Sequence, residues 1–267
     1  MKVSNKVVVV TGAGSGMGRQ LTLELVRRGA SVAALDMRKE TLAETKKLAE
    51  ALNGKVETFV IDITDNAKVA ALPAKIEKAL GQVDALINNA GIIQPFVHVN
   101  ELSLESAHKV MDVNFTGPLQ MVKAFLPGLL TRPEAHILNV SSMGAYAPVP
   151  GQTVYGASKA AINLFTQGLR SELLNTKVGV TVAFPGAINT NIAQNSGMAM
   201  PADAAASESK FKMTEAPLAA KMMVDAIEAN KPRITIGSDA TMMDRLSRLN
   251  PVMAANIIYK QMASLLK

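Results

Sequence analysis

The chain has 267 residues, 48% of them hydrophobic, with 28 Lys and Arg against 22 Asp and Glu. That is enough to bury the core of one large α/β domain. The net charge of +6 is spread over helical stretches rather than gathered in a basic run, and with no Trp, three Tyr and seven Phe the chain is not read as a nucleic-acid binder. Without Cys there is no disulfide, thiolate nucleophile or Cys-based metal site, and His98, His108 and His136 show no ligand spacing, so no metal is expected. The apolar stretch in "MKVSNKVVVVTGAG" is too short for a signal-peptide core or a membrane span, so the expectation is a cytoplasmic protein with no stable membrane insertion.

Lys6–Thr11 reads as a strand buried on both faces, and Met17–Arg28 as a helix ended by Gly29. Between them lies "TGAGSGMG" at 11–18. Met17 breaks the G-x-G-x-x-G spacing; Gly12, Gly16 and Gly18 fit G-x-x-x-G-x-G instead. A glycine loop between a strand and a helix lets a pyrophosphate approach the backbone and meet free N–H groups at a helix start. Ser31–Asp36 is the second strand, and Asp36 ends it 18 residues beyond Gly18. A carboxylate there accepts from the adenosine ribose of NAD and repels the 2′-phosphate of NADP. Arg38 could reach such a phosphate, whereas Ser15, not a basic residue, lies inside the loop; the balance favours NAD, with NADP second.

Lys39–Leu52 follows as a helix with Gly54 placed as a left-handed cap, then the strand Val56–Ile61 and a helix capped by Asp65 and running through Leu80 to Gly81. Val83–Asn88 is strand four, and a long helix covers about Leu104–Leu130, bent near Pro118. His136–Ser141, the helix Tyr155–Asn175, Val178–Phe184, a helix near Pro217–Ala229 and the strand Arg233–Ile236 complete the pattern. The alternation predicts one doubly wound parallel sheet of about seven strands, Rossmann-type, with helices on both faces and a single domain over residues 1–267. Residues 191–214 break the rhythm and read as a substrate lid, and 241–267 as a C-terminal helical extension whose Ile257, Ile258, Met262, Leu265 and Leu266 share a face.

"YGASK" at 155–159 places Tyr155 and Lys159 one helical turn apart. A neighbouring ammonium favours the phenolate, which suits a tyrosine to proton transfer near neutral pH.

In order along the chain, "TGAGSGMG", Asp62 after strand three, "NNAG" at 88–91, Asn114 in "MDVNFTG", Ser142 in "NVSSMGAY", "YGASK" and "PGAINT" at 185–190 resemble the short-chain dehydrogenase/reductase family, in its subgroup of about 250 residues with TGxxxGxG and YxxxK motifs. The resemblance implies that Tyr155 is the general acid/base and that Ser142, thirteen residues before it, orients the substrate oxygen; Ser141 is its neighbouring rival. It implies that Lys159 holds the nicotinamide ribose and that Asn114 completes a proton relay, unless Asn114 is a structural asparagine. It gives cofactor contacts to Gly12, Ser15, Gly16, Met17, Gly18, Asp36, Asp62, Ile63, Asn88, Ala90, Gly91, Pro185, Gly186, Ile188 and Thr190, besides Tyr155 and Lys159.

The expected activity is NAD-dependent interconversion of a secondary alcohol and a ketone, on a largely apolar substrate suggested by Ile92–Val97 and the lid. A non-catalytic dinucleotide sensor and a related epimerase or dehydratase are the rivals. The resemblance also implies a homodimer or homotetramer formed through the helices that carry Asn114 and Tyr155.

Overall fold

A computed structural model describes residues 1–190, 192–196, 213–262 and 266. Its centre is a seven-stranded, wholly parallel sheet built from β1 (Val7–Thr11), β2 (Ser31–Asp36), β3 (Val56–Val60), β4 (Ala85–Asn88), β5 (Ala135–Val140), β6 (Val178–Pro185) and, after a two-stranded pairing of β7 (Ile188–Asn189) with β8 (Thr214–Glu215), β9 (Arg233–Ile236). The strand order is β3-β2-β1-β4-β5-β6-β9, so the winding reverses between β1 and β4, and a crevice opens at their carboxyl ends.

Side-chain alternation sorts each strand between two cores. Val8, Val10, Val32, Ala34, Ile87 and Leu138 face α1 (Gly16–Arg27), α2 (Lys39–Glu50) and a late helix, Ala216–Glu228. Val7, Val9, Ala33, Leu35, Leu86 and Ile137 face α3 (Asn66–Ala70), α4 (Leu72–Leu80) and the helices Gly117–Leu130 and Thr153–Glu172. This is the doubly wound Rossmann-type architecture expected of strands that are apolar on both faces.

Two prolines divide helices that the sequence pattern runs together. Asp65 caps α3 by accepting from the Lys68 N–H, but the helix stops at Ala71 and restarts with Pro73 in the first turn of α4. The long helix is likewise α5 (Leu104–Met111), a wide turn over Asp112–Thr116, and α6 (Gly117–Leu130). Pro118 has no N–H to give and its ring crowds the carbonyl four residues back, so the chain widens to an i→i+5 pitch there, with Asn114 inside the wide turn. The cap after α2 also differs from expectation: Asn53 takes the left-handed conformation (φ 57°), and Gly54 is small because a Cβ would stand 2.1 Å from Val26.

Most of the expected lid at 191–214 lies outside the described residues; of it, a short helix, α8 (Ile192–Asn195), is described. The C-terminal extension forms α10 (Ser238–Leu249) and α11 (Pro251–Met262), after α9 (Ala216–Glu228). Ile258 and Ala254 pack with Met243 on Ala147, so the extension lies against its own domain, behind the loop that follows β5. Leu265 falls outside the described residues. Among the described residues no helix is long and apolar enough to cross a membrane.

Candidate active site

The helix α7 (Thr153–Glu172) carries both Tyr155 and Lys159 in its first two turns. Lys159 is buried, with its Nζ 5.8 Å from the centre of the Tyr155 ring and donating to the Val140 carbonyl at 3.1 Å. Burial lowers the Lys159 ammonium to about 8. It also raises the Tyr155 phenol above its ordinary value, and a hydrogen bond with Ser142 pulls the other way. The Lys159 ammonium is turned to a backbone carbonyl while it stands beside the Tyr155 ring.

Ser142, two residues beyond β5, accepts from the Gly144 N–H at 3.0 Å, and its hydroxyl lies with the Tyr155 ring beside Gly144. Ser141 is buried and donates to the Lys159 carbonyl at 2.7 Å, which commits it to holding the helix. Asn114 is also buried: its Nδ2 donates to the Ile92 carbonyl (2.9 Å) and to Ser158 (3.0 Å), and its Oδ1 accepts from the Ile92 N–H at 2.9 Å. Its side chain thus ties the β4 loop to two helices. Gly91 lies between the two groups of the expected relay: a Cβ there would be 3.1 Å from Lys159 Nζ and 3.2 Å from Asn114 Oδ1.

On the other side of the crevice, Gly12 and Gly18 are packing positions. A Cβ on Gly18 would stand 2.0 Å from the Gly12 oxygen, and one on Gly12 would be 2.9 Å from Ala90. Gly16 differs: at φ +50° it faces open space, bounded at 3.5 Å by Thr190. The helix α1 starts there with no acidic residue in its first turn, and Ser15 places no side-chain bond on it. A cradle of backbone amides closed on one side by Thr190 fits a pyrophosphate. Met17 packs against the core.

Asp36 accepts from the Gly14 N–H at 3.0 Å and from the Arg38 N–H at 3.1 Å. The Arg38 guanidinium donates to Ser15 at 3.2 Å, so an acid and a base flank the same end of the crevice. Asp62 is exposed and its carboxylate accepts from Thr64, whereas Ile63 is buried against Gly117, which leaves only its backbone to a ligand.

Asn88 departs from its expected place lining the groove: buried in the sheet, it donates to Asn139 at 2.8 Å. Its neighbours Asn89 and Ala90 reach Thr11, whose hydroxyl accepts from both backbone N–H groups at 3.0 Å. At the far rim, Pro185 ends β6, the Gly186 N–H meets the Ile236 carbonyl, and Ile188 lies in β7.

A family model described as short chain dehydrogenase matches residues 6–200. The chain belongs to the short-chain dehydrogenase/reductase family. It is 34% identical to the oxidoreductase SadH of Mycobacterium tuberculosis over 250 residues, 91% of this chain and 90% of that one. A short-chain dehydrogenase/reductase from Burkholderia phymatum solved with NAD superposes with a TM-score of 0.86 at 27% identity, covering 95% and 96% of the two chains. One from Burkholderia cenocepacia solved with NADP gives 0.80 at 28%, covering 97% and 99%. The chain is thus an oxidoreductase of this family, whose members of like structure bind NAD or NADP.

Three residues of this dehydrogenase/reductase had no signal in the sequence. Asp239, buried in the first turn of α10, accepts from the Ala187 N–H at 2.7 Å, and Gly186 has no room for a Cβ beside its carboxylate (2.2 Å). Tyr146 donates to the Ala240 carbonyl at 2.9 Å, and Gln94 reaches the start of the Tyr155 helix. Each works through a partner more than 50 residues away, beyond the reach of any local pattern.

Proposed function

We propose that the protein reduces a ketone to a secondary alcohol, or runs the reverse, with NAD as its dinucleotide and Tyr155 as general acid/base. The observation that carries the reading is the convergence of Tyr155, Ser142 and Lys159 at the carboxyl end of β5, where the Tyr155 ring and the Ser142 hydroxyl lie together beside Gly144. The dinucleotide, when bound, supplies or accepts the hydride. Two hydroxyls side by side can both point at one substrate oxygen and stabilise the charge that develops on it. A phenol held above its ordinary pKa keeps its proton, the form that gives a proton to an alkoxide.

In this reading Lys159 holds the nicotinamide ribose, and the amides of Gly12, Ser15, Gly16, Met17 and Gly18 hold the pyrophosphate. Asp36 takes the adenosine ribose and Asp62 with Ile63 the adenine. Ala90 and Gly91 form the groove wall, and Pro185, Gly186, Ile188 and Thr190 hold the carboxamide. Asn114 serves the relay by fixing Ile92 and Ser158 around Lys159. Asp36 favours NAD, while Arg38 beside Ser15 keeps NADP within reach. An apolar substrate and a homodimer or homotetramer through α7 and the α5–α6 helix pair that carries Asn114 belong to the same proposal. Exposed Leu104 and Leu164 on α5 and α7 support the assembly.

Replacing Tyr155 with Phe is expected to leave NADH binding intact and to cut turnover of a panel of secondary alcohols and ketones by about 10²–10⁴-fold. Equal turnover by the variant would remove Tyr155 from the chemistry. Fluorescence titration should show tighter binding of NADH than NADPH, with the gap narrowed in Asp36→Ala.

A further inference from the structure

The helix that carries Tyr155 and Lys159 begins without help from its own neighbours. Gln152, at its N-cap position, makes no side-chain bond to the first turn. First-turn N–H groups of a helix have no partner within it. Here two of them are met from outside: the Oε1 of Gln94 accepts from the Val154 N–H at 2.8 Å and from the Tyr155 N–H at 2.9 Å. Gln94 is completely buried. Exchanging its amide oxygen and nitrogen would set an NH₂ against two N–H donors, so this orientation is the one the site allows. The contact is a clip, because the Gln152 side chain donates back to the Gln94 carbonyl at 2.7 Å.

The segment that holds Gln94 is itself fastened. Asn114 bonds both the N–H and the carbonyl of Ile92, and the Ile93 N–H donates to Ser196 at 3.1 Å. Gly91, two residues earlier, faces the Lys159 amine. One short loop therefore touches Lys159 at one end and the Tyr155 backbone at the other.

We infer that Gln94 is a positioning residue of the active site: capping the helix from the β4 loop, it sets where the Tyr155 hydroxyl stands relative to the reacting atoms. The inference rests on the functional reading of Tyr155 given above. A residue that only stabilised the fold would lower stability and leave turnover of the folded protein alone. One that sets geometry lowers kcat, because displacements near 1 Å cost on the order of 10²-fold.

The parent is compared with Gln94→Met, which keeps length without the oxygen, with Gln94→Leu as a second acceptor-free variant, and with Gln94→Glu, which keeps the oxygen. The measurements are NADH fluorescence titration, kcat and KM on the alkan-2-one or cyclic ketone that the parent reduces fastest, and amide exchange at Val154 and Tyr155. Both acceptor-free variants should lose about 10–100-fold in kcat with NADH affinity and KM within about threefold, their two amides should exchange faster, and Gln94→Glu should recover most of the loss. Unchanged kcat in the folded variants, an equal loss of NADH affinity, or no rescue by Glu overturns the inference. If the parent reduces no ketone, the functional reading has failed. Amide exchange then decides this one: unchanged exchange at both positions overturns it, and faster exchange at both upholds the cap.

Discussion

The chain up to Thr190 and the chain from Thr214 onward are held together in different ways. The first part alternates strand and helix, and its turns meet closely at the crevice: Gly18 is pressed on Gly12, and the Thr11 hydroxyl accepts from the Asn89 and Ala90 N–H groups. The second part joins the first by strand pairing, β9 on β6 and β8 on β7, and by single side chains. The Asp239 carboxylate holds the Ala187 N–H, and the Tyr146 hydroxyl donates to the Ala240 carbonyl. The family match stops at residue 200, close to this division. A crevice shaped by closely packed turns leaves its chemistry to a few side chains, while the region behind it can vary as long as it props the same loops.

That contrast predicts unequal costs. The largest belongs to Gly18→Ala. Its new methyl would stand 2.0 Å from a backbone oxygen that is fixed by the loop on both sides. Overpacking of this kind costs about 3 kcal/mol or more. Thermal unfolding should fall by roughly 5–10 °C, with NADH binding lost as the loop is displaced. A variant that melted and bound like the parent would show that the glycine loop yields, and that the contrast between the two regions is wrong.

The next effect tests the C-terminal region by its side chain. Asp239→Ala leaves the half-buried Ala187 N–H without its acceptor, a loss of about 1–3 kcal/mol. Melting should drop by roughly 3–6 °C, and NADH affinity should fall as the Pro185–Thr190 loop loosens. Asp239→Asn keeps an oxygen in place and should recover most of both. If Asn behaves as badly as Ala, the negative charge at the start of α10 matters more than the bond.

How far the sequence could be read follows the same division. The strands of the main sheet and the glycine loop were legible because continuous apolar runs and strand–turn–helix punctuation are local. Ser142 and Ser141 could be told apart only by spacing, and the structure adds the reason: Ser141 spends its hydroxyl on the Lys159 carbonyl. Gln94 was invisible, since its partners Val154 and Tyr155 lie 60 and 61 residues away. Asn88 misled because alternation along β4 turns it into the sheet, while its neighbour Asn89 reaches Thr11 beside the crevice. The Tyr155–Lys159 pair was legible as neighbours because one helical turn brings the groups together, but how much water they lose depends on the whole fold.

The smallest effect runs in the opposite direction and compares two buried charges. Asp239 is bonded to the backbone it supports; Lys159 is buried with one carbonyl for company and is held near pKa 8 instead of 10.5. Between those two values the unfolded chain binds the extra proton, so this residue makes stability rise with pH from about 8 to about 10.5. Below 8 both states are protonated and the fold carries the whole penalty, on the order of 3 kcal/mol, partly offset by the bond to Val140. Lys159→Met removes charge, penalty and bond together. At pH 7 it should stabilise the protein by about 1–2 kcal/mol, and the gain should shrink to nothing near pH 10.5, while turnover falls at least about 100-fold. Urea unfolding at the two pH values reads the difference directly. A variant less stable than the parent at pH 7 would mean that Lys159, like Asp239, holds the fold together, and the two regions would then differ less than their contacts suggest.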